Sequence, residues 1–355
     1  MSAQDAAASI LLEENAAAAF SCARLLESGP GMTVAAVVPH WNRRELLAKL
    51  LENLGRQTRR FDEIFVVDNG STDGSAEMAE QAGARVLRLG RNFGFAVAVN
   101  RGIQAVHTDW IAILNNDVTL EPEWLETMLV TLGGHDDMWF GCGKVLRADD
   151  PGVIDATFDE VSRAACAWRC GSGRRDGPVW NQPRRIHIAT MTAALFRTSL
   201  FKEVGGLDES FGSYLEDVDF GLRCAFCGRT GTYVPGAIAH HVGSATLGEW
   251  NKDTVRRIAR NQVWLAKKHF RGMALWRIVA GQLLWGVVAC RHRRGLAYLR
   301  GKLQGLVSSP KGPVQLVDLA TVSSVLEESE RSISLLQQET GFDRYWRAYF
   351  WLSPQ

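Results

Sequence analysis

Three short clusters in this chain combine side chains that can hold a cation or move a proton. The first is Asn115-Asn116-Asp117, which follows an apolar run. A carboxylate at a strand end can ligate a hard divalent cation and leave other positions to phosphate oxygens and water. The second is Tyr214-Leu215-Glu216-Asp217-Val218-Asp219, with Arg223 four residues beyond. Carboxylates this close repel one another, which raises at least one pKa unless cations or hydrogen bonds compensate. An acidic helix start favoured by the helix dipole also accounts for Glu216 and Asp217. Asp219 and Arg223 have the spacing of a helical ion pair. The third cluster is His240-His241, after the strand-like run from Thr232 to Ile238. A single histidine is usually structural, whereas two at a strand end, beside other candidate ligands, point to a metal.

The elements that must position these clusters alternate between strand and helix signals. Val34 to Val38 is a continuous apolar run, as expected of a strand buried on both faces. Leu46, Leu47, Leu50, Leu51 and Leu54 follow at helical spacing. Ile64 to Val67, Arg85 to Leu89 and Trp110 to Leu114 read as further strands, with helices from about Ser75, over Gly94 to Val106, and over Trp124 to Leu132. Such βα units imply a parallel sheet covered by helices, with ligands beyond the carboxyl ends of the strands. Polar residues gather at those ends: Pro39-His40-Trp41-Asn42, Asp68-Asn69-Gly70-Ser71, Arg91-Asn92 and Asn115-Asn116-Asp117. Asp, Asn and Gly form turns anyway, but four such turns on one edge predict a binding site. Asp150 to Arg185 is rich in Gly, Arg and Pro with weak periodicity, and is expected to be a functional excursion or a flexible flap.

With 355 residues and 46% hydrophobic residues, the chain has ample apolar surface to bury, which excludes disorder over most of its length. Seven cysteines, an odd number, exclude a disulfide framework, and Cys224 to Cys227 is expected to be helical core. Net charge is only +1, yet Asn251 to Lys302 holds thirteen Lys or Arg against one acid, Asp253. That asymmetry points to an anionic partner at the C-terminal side. Met273 to Cys290 is apolar, but Arg277 and Gln282 interrupt it and no convincing transmembrane span results. Apolar helices with Trp and flanking Arg suit the surface of an anionic bilayer, against the plainer reading of packed helices with a solvated basic face. No motif supports nucleic-acid binding.

Taken in order, Val37 to Asn42, Val66 to Ser75, Asn92 to Ala96, Leu114 to Asp117, Glu216 to Asp219 and His240-His241 resemble the family 2 glycosyltransferases of GT-A fold, rhamnosyltransferase-like members above all. The resemblance covers about Thr33 to Gly248 and implies an α/β fold: a Rossmann-like, mostly parallel sheet flanked by helices, with a helical C-terminal extension. It implies that Pro39, Trp41, Asn42, Asp68, Asn69, Ser71, Asn92, Gly94, Asn115 and Asn116 serve the donor nucleotide. It implies Mg2+ or Mn2+ at Asp117, completed by His241 or less readily His240, and a catalytic base at Asp217 beside Glu216. The family's usual Asp-rich metal motif is here Asn115-Asn116-Asp117.

The expected activity is therefore inverting, metal-dependent transfer from a nucleotide-sugar, dTDP-rhamnose or a UDP-sugar, to a glycan or lipid-linked glycan of the bacterial envelope. The expected place is the cytoplasm, peripheral on the inner face of the cell membrane through residues 251–302. The expected divisions are an N-terminal helical extension (1–31), a catalytic domain (32–248) split at 133/134 into donor and acceptor halves, and a basic helical region (249–355). A homodimer through the C-terminal helices stays open. The alternative from another class is a catalytically silent nucleotide-sugar-binding scaffold.

Overall fold

The computed structural model describes residues 31–243 and 250–353. The expected helix within 1–31 therefore lies almost wholly outside the described residues, as does the 248/249 division.

The first half alternates as anticipated: β1 (Val34–His40), α1 (Arg44–Leu54), β2 (Glu63–Asp68), α2 (Ser75–Gln81), β3 (Arg85–Arg88), α3 (Phe95–Ala105) and β4 (Trp110–Leu114). Then come β5 (Val118–Leu120), α4 (Trp124–Gly133), β6 (Met138–Arg147) and the short strands β7 (Ile154–Ala156), β8 (Phe158–Val161), β9 (Ala167–Arg169), β10 (Arg184–Ile186) and β11 (Ile188–Ala189). β12 (Ala193–Arg197), α5 (Thr198–Val204), α6 (Glu216–Phe226) and β13 (Thr230–His241) complete the sheet region. Five helices follow: α7 (Lys252–His269), α8 (Leu275–Arg291), α9 (Gly295–Val307), α10 (Leu319–Thr340) and α11 (Arg344–Leu352).

The main sheet runs β10-β13-β6-β12-β4-β1-β2-β3. β1 is parallel to β2 and β4, β2 to β3, and β6 to β13. β1 is buried on both faces: Ala35 and Val37 join one core, and Val34, Ala36 and Val38 the other. Helix α3 lies against the sheet, and a Cβ on Gly102 would sit 2.3 Å from Val37 Cγ1.

Within this mostly parallel sheet, β12 runs antiparallel to both β4 and β6. It therefore starts at the carboxyl edge of β4, where Thr192 O accepts the Asn115 N–H at 2.9 Å. A proline inside a strand cannot donate to the ladder and needs a bulge. β13 has one: its pairing with β6 shifts between Val234 and Ile238, around Pro235-Gly236. The bulge presses onto β6, where a Cβ on Gly143 would sit 1.8 Å from Ala237 O.

Residues 150–185 are no flap. β8, β9 and β11 form a small second sheet, and Ile154, Phe158, Trp168 and Trp180 are buried in the main core. Strands of three or four residues are too short to show alternation in the sequence, although their apolar side chains anchor the segment. Cys224 is buried as expected, but Cys227 is exposed because it caps the end of α6. Helices α7, α8 and α10 pack on the sheet region through Trp264, Leu265, Ile278 and Leu326, which meet Val161, Ile188, Val218 and Leu222. Among the described residues, no helix is long and apolar enough to cross a membrane.

Candidate active site

The polar turns at the ends of β1 and β2 hold one another. The Asn42 N–H donates to Ser71 Oγ at 2.8 Å, and Asn42 Oδ1 accepts the Thr72 N–H at 3.0 Å. Asp68 accepts the Ser71 N–H at 3.1 Å. Asn69 bridges to the next turn, accepting the Phe93 N–H and donating to Gly94 O, both at 3.1 Å. Asn92 in turn accepts the Gly94 N–H at 2.9 Å. Pro39, the penultimate residue of β1, pairs with Val67, and Trp41 just beyond the strand is exposed. These hydrogen bonds tie the turns after β1, β2 and β3 to one another.

His40 is not among the expected site residues, yet it sits beneath the Asn116 side chain. Burial lowers its pKa to about 4, so the ring is neutral and Nδ1 accepts from Asn116 Nδ2 at 2.8 Å. The contact fixes the orientation of the Asn116 amide.

Beyond β4 lies the charged part of the site. His241 Nε2 is 3.0 Å from Asp117 Oδ1, and His241 Nδ1 is 2.9 Å from Asp155 Oδ2. Burial works against a charged ring, but the two carboxylates overcome it and push the His241 pKa up to about 9. His241 thus joins Asp117 and Asp155 into one hydrogen-bonded group. His240 takes no part in this group: adjacent strand residues face opposite ways, and its Nε2 meets Glu121 Oε1 at 2.7 Å.

The catalytic candidates stand at the start of α6. Burial raises the Asp217 pKa, and the Arg169 guanidinium, 3.7 Å from Asp217 Oδ2, opposes that rise. Glu216 is buried with Oε2 unpaired, and burial plus the neighbouring Asp217 charge holds its carboxyl well above the ordinary range. The upward push is stronger on Glu216, while the Arg169 guanidinium favours the charged form of Asp217. The field of Arg169 also acts on Asp155, which places Asp217 and the His241 group around one cation.

Two contacts bring the turn before α6 against the start of α3. The Ala96 N–H donates to Gly212 O at 3.2 Å, and a Cβ on Gly94 would sit 3.1 Å from the same oxygen. Between Gly212 and α6, Tyr214 and Leu215 both adopt left-handed backbone, at φ 73° and 66°. Such geometry costs about 1–3 kcal/mol per residue and needs support. Asn261 of α7 supplies it, donating from Nδ2 to Ser213 O at 3.1 Å and Tyr214 O at 2.6 Å. Asn261→Ala leaves these carbonyls unpaired, and kcat is expected to fall about tenfold for a loss of ~1.4 kcal/mol in positioning. Unchanged kcat with a lower melting temperature would limit Asn261 to stability.

The sequence model of Glycosyl transferase family 2 matches residues 35–205. The chain contains a family 2 glycosyltransferase domain. It is 28% identical over 280 residues to N-acetylglucosaminyl-diphospho-decaprenol L-rhamnosyltransferase of Mycobacterium tuberculosis, covering 69% of this chain and 87% of that one. A pre-mycofactocin glycosyltransferase of the same organism is 31% identical over 63% of this chain and 46% of its own length. Solved structures share the fold. A mannosyltransferase from Pyrobaculum calidifontis in complex with GDP-Man and Mn2+ aligns with a TM-score of 0.51 at 15% identity, covering 94% of this chain and 92% of that one. GalNAc-T7 with UDP, GalNAc and Mn2+ aligns with a TM-score of 0.58 at 14% identity, over 72% of this chain and 51% of that one. The fold is thus the GT-A glycosyltransferase fold.

In this glycosyltransferase, Asp155 and Arg169 are the site residues that sequence reasoning missed, because both sit in the weakly periodic excursion on β7 and β9. A cavity of about 1440 Å³ contains none of the expected site residues. It runs along α3 to Trp110, at the opposite end of β4 from Asp117.

Proposed function

We propose that this glycosyltransferase inverts the anomeric centre as it moves a sugar from dTDP-rhamnose or a UDP-sugar to a glycan or lipid-linked glycan in envelope polysaccharide synthesis. The reading rests on one arrangement: Asp117 and His241 on one side, and the Arg169–Asp217 pair on the other, linked through Asp155. The rhamnosyltransferase relative is named for a lipid-diphosphate acceptor, which supports that acceptor class.

The residues present fit Mg2+ or Mn2+. Asp117 and the Nε2 of His241 are hard and borderline ligands 3.0 Å apart, and Asp155 on Nδ1 supplies the carboxylate that orients such a histidine. Among the described residues no group of three His, Cys, Asp or Glu forms a full cage. That suits a cation taken up with diphosphate oxygens and water rather than by protein alone. When bound, the cation supplies Lewis-acid stabilisation of the departing diphosphate. Pro39, Trp41, Asn42, Asp68, Asn69, Ser71, Asn92, Gly94, Asn115 and Asn116 cradle the nucleotide, with residues 32–133 as the donor half and 134–248 as the acceptor half. Asp217 takes the proton of the attacking hydroxyl.

The test is product analysis with a thermal-shift panel of nucleotide sugars, with and without Mn2+. A metal-dependent shift with release of nucleoside diphosphate is expected. Binding without turnover would turn the reading to a silent scaffold. Asp155→Asn is expected to weaken Mn2+ binding about 10–100-fold, read by the paramagnetic resonance of free Mn2+. Unaltered Mn2+ affinity would remove Asp155 from the metal's support.

A further inference from the structure

Helices α8 and α9 turn apolar faces to solvent. On α8, Trp276, Val279, Leu283 and Val287 are exposed. On α9, Leu299, Leu303 and Leu306 are exposed. Spacings of three and four residues align each set as a stripe. The opposite faces are already filled. A Cβ on Gly281 would meet Ala164 at 2.3 Å, and one on Gly301 would meet Arg256 O at 2.2 Å. A helix on a globular surface ordinarily shows polar residues outward, so these stripes await a partner.

Charge identifies that partner. From Thr254 to Val317 the chain has thirteen Lys or Arg and no acidic residue. Arg271, Arg291, Arg293 and Arg300 are exposed at the ends of α8 and along α9. A second copy of the same face would bring like charges together, whereas an anionic bilayer accepts both the leucines and the arginines.

We propose that the α8–α9 hairpin seats on an anionic membrane surface, its apolar stripes in the interface and its arginines on lipid phosphates. The hairpin lies in the interface rather than crossing it, since no described helix can span a bilayer. This deepens the lipid-linked acceptor reading and rests on it for its purpose, but its measurement needs no turnover.

The full chain is sedimented with phosphatidylcholine vesicles, with and without phosphatidylglycerol. Binding is expected only to the anionic vesicles, weakening as salt rises. Leu283→Glu with Leu303→Glu is expected to reduce partitioning by at least about tenfold, because two charges enter the apolar interface. Arg291→Gln with Arg293→Gln is expected to cost about fivefold per charge. Brominated acyl chains are expected to quench tryptophan emission, less so in Trp276→Phe. Circular dichroism and the Mn2+-dependent nucleotide-sugar shift, expected unchanged in every variant, separate a lost docking face from a failed fold or a failed transferase reading. Equal binding to neutral and anionic vesicles, or full binding by the Leu283/Leu303 variant, overturns the proposal. So does a dimer in light scattering that this variant dissolves, which would give the face to a second copy.

Discussion

Asp217→Asn is expected to lower kcat by about 10²–10⁴-fold while donor affinity holds. The amide keeps the size of the carboxylate but cannot take the acceptor proton. Burial places the Asp217 pKa above the usual aspartate value, and Arg169 at 3.7 Å keeps it from rising further. A base works ionised, so kcat/KM falls as pH drops through this pKa. Arg169→Gln removes the opposing cation, raises the pKa and moves the acid limb of the profile to higher pH. Paired pH profiles of the wild type and Arg169→Gln, with the Asp217→Asn rate, check both statements. Retained turnover in Asp217→Asn, or an acid limb that moves to lower pH, would sink the base assignment.

How much of this site shows in the sequence depends on what kind of segment carries each residue. The ends of β1, β2 and β4 are visible because a strand buried on both faces is an unbroken apolar run, and the polar turn after it marks the edge. Asp117 could be placed for that reason. Asp155 and Arg169 could not, since β7 and β9 are each three residues long. Nothing in such short strands announces which of several Arg and Asp faces the site. The reversed direction of β12 was equally hidden: an apolar run states burial, not polarity of pairing. Asn261 lies in a helix read for its basic residues, and its function depends on a strained turn some fifty residues earlier. The apolar run of α8 and its flanking arginines were legible, but only packing shows that small residues, not the leucines, face inward on α8 and α9.

The largest stability loss is expected from Asp219, a residue whose spacing suggested only a helical ion pair with Arg223. That pair exists, at 3.0 Å, but both side chains are fully buried and the carboxylate does more. Asp219 Oδ1 also accepts from Lys268 Nζ and His269 Nε2, each at 2.8 Å, and Lys268 reaches Asp208 at 2.8 Å. Burial opposes ionisation, yet His269, Arg223 and Lys268 hold the Asp219 carboxyl far below the usual range. Removing it leaves buried cations short of a counter-charge, so Asp219→Asn is expected to cost about 3–5 kcal/mol at neutral pH. The sign with pH follows from the depressed pKa. The wild type's advantage is present above the unfolded value of about 3.9 and is lost as pH falls further below it. Denaturant unfolding of both proteins across that range checks this, and a difference that grows on acidification would contradict it. The network ties α6, which carries Asp217, to α7, which carries Asn261. Its loss should therefore lower kcat even where the variant remains folded, because the strained turn before the base loses the helix that holds it.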